Sequence, residues 1–207
     1  MTPQSTNRSY DMQGEQIIGE FLDKHFYPHL YHQGFERVKD KTRQIAGIDV
    51  VLNIDDNVFL IDEKASTDYT DGRLDTFILE LTNYSGKSIG WFLNDKLVTT
   101  HYLFVWINKI STEKIESVDC VKDIEIAVVD KQTIRDYVRE NLKLSDAELK
   151  RIADDITNGK YYSYGNIKYN GYKILQCGGK KERAICIKLP KSFYMNKAIF
   201  KKRIRVE

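Results

Sequence analysis

Three observations in this 207-residue chain predict an α/β fold with a central sheet covered by helices and a basic C-terminal α+β lobe. An amphipathic helical stripe precedes two apolar, strand-like runs joined by a tight turn. A further, strongly apolar run follows at His101 to Ile107. Beyond Asp130 the pattern changes to two helices and a lysine- and tyrosine-rich β piece.

The polar residues Met1 to Ser9 read as a frayed arm, and Asp11 to about His32 as a helix interrupted near Pro28, which removes a backbone donor. Over Glu15 to Phe26, the residues Ile17, Ile18, Phe21, Leu22 and Phe26 form one apolar stripe at about 100° per residue. Phe35 to Val38 follows. The runs Ile48 to Leu52 and Val58 to Lys64 then read as strands, with Asp55-Asp56-Asn57 as their hairpin turn. Thr67 to Arg73 is a polar loop, and Thr76 to Leu81 a strand whose Glu80 is either a supporting carboxylate or a solvent-facing position. Gly90 to Asp95 reads as a hairpin leading into His101 to Ile107, and Ile124 to Val129 as a further short strand. Lys131 to Leu142 and Ser145 to Thr157 are expected helices. Ser145 with Glu148 makes a capping box at the start of the second, and Asn158-Gly159 ends it. Tyr161 to Leu175 and Arg183 to Leu189 make a β-rich piece around a turn at Gly178-Gly179. No Pro/Ser/Gly linker marks a boundary. Residues 1–130 are therefore expected as a core, with 131–207 a basic lobe packed on it as one unit.

Composition narrows the function classes. No apolar run reaches membrane-spanning length, and the first residues lack a hydrophobic signal core, which predicts a cytoplasmic protein without membrane partners. Three irregularly spaced cysteines fit reduced thiols. The net charge of +2 conceals an asymmetry: residues 159–207 hold 13 basic and 2 acidic side chains, the preceding 158 residues 19 basic and 28 acidic. A basic end on an acidic core reads as a polyanion clamp, and the interleaved Tyr161, Tyr162, Tyr164, Tyr169 and Tyr172 are able to stack on bases. The plain alternative makes the tyrosines strand residues and the lysines a solvated face.

The charged residues within the two site strands carry the chemistry. Strand alternation puts Asp62 and Lys64 on one face and Glu63 on the other. A two-residue loop Asp56-Asn57 would set Asp49 opposite Lys64 and diagonal to Asp62. That is about 7–8 Å away, within the span of one hydrated divalent cation. The alternative is an exposed ion pair worth about 0–1 kcal/mol. On the helix, Glu15 lies at the edge of the apolar stripe and Glu20 nearly opposite its centre, so Glu15 is the candidate that faces a site. His25 and His29 are one helical turn apart without a zinc-binding pattern and read as a solvated helix edge.

Gly34-Phe35, Gln44-x-x-Gly47-Ile48-Asp49 and the later Asp62-Glu63-Lys64 together resemble the PD-(D/E)XK nuclease superfamily over about residues 10 to 110, with Ile48 standing where the superfamily's name has proline. The resemblance implies a restriction-endonuclease-like fold, a mixed sheet flanked by helices, and a magnesium-dependent endonuclease in which manganese substitutes. It makes Asp49 and Asp62 metal ligands completed by the Glu63 carbonyl. Lys64 becomes the cation beside a metal-activated water, and Glu15 the helical carboxylate. DNA is the expected substrate ahead of RNA, with Gln44, Lys180, Lys181, Lys201, Lys202 and Arg203 as its contacts. Double-strand cleavage would need a homodimer or two successive nicks. Two competing classes stand beside it: a nucleic-acid-binding protein on the same scaffold that does not cut, and a structural α/β protein whose basic tail binds acidic protein or RNA.

Overall fold

The apolar stripe of the first helix decides how the first sheet is covered. In the computed structural model, which describes residues 7–30, 34–83, 88–177 and 183–207 with the first helix's side chains from Met12 onward, α1 runs Asn7–His25. Ile17, Ile18, Phe21, Leu22 and Phe26 are all buried in one cluster with sheet residues. Each such side chain contributes about 1.5–3 kcal/mol by leaving water. A 3-10 turn at Tyr27–His29, with Pro28 early in it, ends the helical segment as the proline predicts.

The protein is mixed α/β, and its chain divides into two compact units. The first comprises residues 1–74, 98–130 and 198–207. Its strands are β1 (Gly34–Arg37), β2 (Val50–Ile54), β3 (Asn57–Ser66), β6 (His101–Ile110), β7 (Val121–Asp130) and β11 (Phe200–Arg205), and the short helix α2 spans Lys41–Ile45. They form a six-stranded sheet in the order β1-β2-β3-β6-β7-β11. The β3–β6 pair is parallel and the others antiparallel, so the sheet is mixed. Ile61, Leu103, Val105, Ile107, Ile124 and Ile126 supply the buried face under α1.

The second unit comprises residues 75–97 and 131–197. It holds β4 (Thr76–Asn83), β5 (Ser88–Ile89), β8 (Ser163–Tyr164), β9 (Lys173–Cys177) and β10 (Ala184–Pro190), with α3 (Lys131–Asp136), α4 (Asp146–Thr157), α5 (Ile167–Asn170) and α6 (Lys191–Lys197). Its sheet is antiparallel, ordered β5-β4-β10-β9-β8. The capping box at Ser145 and Glu148 is present, and Leu149, Ile152, Ala153 and Ile156 form the buried stripe of α4. Gly159, at φ +76°, follows the helix end.

Several local expectations change. Gly90 to Asp95 is not a hairpin into the apolar strand: β5 pairs with β4, and residues 91–96 form turns. Gly90 lies so close to the Glu80 main chain that a Cβ there would sit 2.4 Å from the Glu80 carbonyl oxygen. Helix α3 continues as a π-helical turn, Tyr137–Asn141. Between Tyr161 and Tyr172 there is only the two-residue β8 and the single turn α5. The division expected at residue 130 falls on one of several crossings, because β10 pairs with β4, a strand that precedes it by about a hundred residues. The basic tail is therefore shared, with Lys201, Lys202, Arg203 and Arg205 on β11 in the first unit. The Gly178-Gly179 turn lies outside the described residues. Among the described residues no helix is long and apolar enough to cross a membrane.

Candidate functional site

The hairpin turn fixes which charged residues meet. It is Asp55-Asp56 rather than Asp56-Asn57, with Ile54 paired to Asn57 and Val50 to Ile61. Asp55 takes the positive φ of 50° that such a turn requires, a conformation aspartate tolerates. The register is shifted by two residues from expectation, and a shift of two preserves the face. Asp49 therefore lies beside Asp62 rather than opposite Lys64.

One step beyond the last β2–β3 pair, Asp49 stands opposite Asp62, and its negative charge helps to raise the Asp62 carboxyl. The Asp49 amide donates to the Ile61 carbonyl at 2.8 Å, and its Oδ2 accepts from the Glu63 amide at 2.8 Å. Lys64 Nζ is 2.6 Å from Asp62 Oδ1. Asp62 is 5% exposed, and burial, opposed by Lys64 and reinforced by Asp49, pushes its carboxyl up to about 7. Burial works against the Lys64 charge, yet Asp62, Asp49 and Glu15 together raise it above the usual lysine range. Three expected residues, Asp49, Asp62 and Glu15, thus come within electrostatic reach of the fourth, Lys64. Glu15 and Glu20 are both exposed, and Glu20 accepts a hydrogen bond from Gln16 at 2.9 Å.

Other candidates lie apart from this group. Gln44 is exposed, and its Nε2 donates to the Val38 carbonyl at 3.0 Å, fastening α2 to the end of β1. Lys201 and Lys202 are exposed on the edge strand β11, three strands from β3 or about 14 Å across the sheet. The paired residues Lys64, Phe104, Ala127 and Lys201 place Lys201 on the face of Lys64, and Lys202 on the other. The Arg203 guanidinium is taken up by Asp123 at 2.7–3.1 Å, which lowers the Asp123 carboxyl to about 2. Lys180 and Lys181 lie outside the described residues. Glu80 stands on β4 opposite Cys186, in the second unit.

Glu63 has a second role that sequence reading missed. Its side chain points under α1, where the Tyr27 hydroxyl donates to it at 2.7 Å and Arg37 at 2.5 and 3.0 Å. Arg37 also donates to Asp23 at 2.7 Å and to the Gly19 carbonyl at 3.0 Å. Burial pushes Glu63 up while Arg37 and Tyr27 oppose it, and Arg37 is held well above its ordinary value. This buried cluster anchors β3 between two residues of the site. Its only advance signal is an arginine and a glutamate placed in apolar strands.

No group of three or more His, Cys, Asp or Glu side chains suited to a metal ion occurs among the described residues. Two carboxylates remain, and they fit a hard cation that keeps much of its water. The opposed Asp49 and Asp62 and the raised Asp62 carboxyl mark a surplus of negative charge that a divalent ion would neutralise. No family model, curated protein or solved structure matches the chain.

Proposed function

We propose that this protein is a metal-dependent phosphodiesterase, a DNA endonuclease of the restriction-endonuclease-like, PD-(D/E)XK type. A single observation carries the reading: two carboxylates stand opposite one another beside a lysine on the central strand β3, with the buried one pushed up to about 7. Closely spaced carboxylates of this kind titrate as a pair and favour either a shared proton or a cation. Asp49 and Asp62 are the side chains that would hold magnesium or manganese, with the Glu63 main-chain carbonyl as a third oxygen. When bound, the ion supplies polarisation of the scissile phosphate and acidifies water. Lys64, kept charged by its three acidic neighbours, offsets negative charge that develops on the phosphate. Glu63 and Arg37 hold this part of β3 rigid, and the exposed Lys201, on the Lys64 face of the sheet, positions the phosphate backbone.

The 2.6 Å Lys64–Asp62 contact also favours a second reading, a nucleic-acid-binding protein on this scaffold that does not cut. Hydrolysis of supercoiled plasmid in magnesium or manganese, run with an EDTA control and beside a binding assay, separates the two. Metal-dependent nicking supports the nuclease. Binding with no cleavage under any of these conditions supports the second reading.

A further inference from the structure

We infer that the tyrosine-rich surface of the second unit is a single-strand site, on which unpaired nucleobases stack between tyrosine rings while adjacent lysines neutralise phosphates. The inference rests on the nucleic-acid reading of the protein and adds the form of the substrate. Between Lys160 and Tyr172 the chain carries five tyrosines; Tyr172 is buried, and burial does not explain the most exposed two. Tyr162 is 94% and Tyr169 79% exposed, so neither contributes appreciably to a core. Their neighbours form a ladder: Tyr161 and Tyr164 have ring centres 6.3 Å apart with their planes tilted by 59°, and Tyr164 stacks on the buried Tyr172 at 6.5 Å with 27° between planes.

The backbone is shaped to hold this ladder. Gly165, at φ +76°, lies against the Tyr172 ring so closely that a Cβ would come within 2.7 Å of it. Beside the ladder opens a cleft of about 350 Å³ lined by Ile156, Gly159, Tyr161, Tyr162, Leu175 and Gln176. Its apolar floor and aromatic wall suit a flat, partly apolar ring.

Charge selects the ligand. Lys160 Nζ lies 5.3 Å from the Tyr161 ring centre and also 3.4 Å from the Asp155 carboxylate, a contact a phosphate would have to displace, and Lys168 Nζ lies 5.6 Å from the Tyr169 ring centre. Cations at two of the rings favour a polyanion that also offers π faces. A duplex keeps those faces stacked inside, whereas a single strand presents them, and stacking on aromatics tolerates any base.

The test uses the full chain in EDTA, with fluorescence anisotropy on a labelled fifteen-base thymidine strand, an abasic strand of equal length and a duplex. Wild type should prefer the thymidine strand to the abasic one. Tyr162→Ala with Tyr169→Ala should weaken thymidine binding by about tenfold or more while leaving abasic binding unchanged, and the corresponding Phe pair should restore it. Both side chains are exposed, and an unchanged melting temperature will establish that the variants are folded. Equal binding of thymidine and abasic strands, or full affinity in the alanine pair, overturns the inference. If that happens while wild type still cuts plasmid, the nuclease reading stands alone; if the tyrosines capture single strands and no cutting occurs, this site stands and the nuclease reading fails.

Discussion

Asp49 stands opposite Asp62 one step beyond the last pair of the β2–β3 ladder, held there by its Oδ2 accepting from the Glu63 amide at 2.8 Å, and Lys64 Nζ closes on the Asp62 carboxylate at 2.6 Å. The two-residue turn at Asp55-Asp56 produces this arrangement by setting the register.

Stability should record the raised Asp62 carboxyl. An acid whose folded value is raised from 3.8 to about 7 binds its proton more tightly when folded. Its contribution is fully present below about pH 4, declines up to pH 7 and is constant beyond. In urea titrations at successive pH values, Asp62→Asn removes that decline. The difference between wild type and variant should shift in the variant's favour by at most about 4 kcal/mol across the window. An unchanged difference from pH 4 to 7 would contradict the assignment.

The buried cluster under α1 should behave as a coupled unit. Arg37→Met leaves Glu63 buried without its main cation and should cost about 3–5 kcal/mol, measured by chemical denaturation. Arg37→Met combined with Glu63→Met should recover much of that loss, because the stranded charge is gone. Additive losses would mean that the two side chains act independently.

On β11 the two kinds of basic residue should separate. Lys201→Gln, on the Lys64 face, should weaken DNA binding on all sequences and flatten the logarithmic salt dependence by about 0.9 for the lost contact, and Lys202→Gln, on the opposite face, should do so less. Arg203→Gln should act on stability, since Arg203 foremost lowers Asp123 from 3.8 to about 2. A depressed carboxyl stabilises the fold above about pH 4 and loses that contribution as pH falls toward 2. Asn108 and Arg205 share in that shift and solvent screens the exposed Arg203, so the loss should be about 1 kcal/mol. Acid titrations of wild type and variant that coincide would rule this out.

Much of the first unit was legible because its signals are local. The stripe from Ile17 to Phe26 and the alternation of Asp62, Glu63 and Lys64 follow from helix and strand periods alone. The register was not, since Asp55, Asp56 and Asn57 are all turn formers and two placements of the loop suit them. The Arg37, Asp23, Glu63 and Tyr27 cluster joins residues up to 40 positions apart, and β4 joins β10 across about a hundred. Such pairings leave no periodic trace in a single sequence.

Catalysis by the Asp49, Asp62 and Lys64 group is the central claim, and single-turnover cleavage of plasmid DNA in magnesium, with metal binding followed by calorimetry, tests it most directly. Lys64→Ala should bind the divalent ion nearly as wild type does while cleaving orders of magnitude more slowly, whereas Asp62→Asn should lose metal affinity as well. A Lys64→Ala protein that cleaves at the wild-type rate, or an Asp62→Asn protein that retains full metal affinity, would contradict the account.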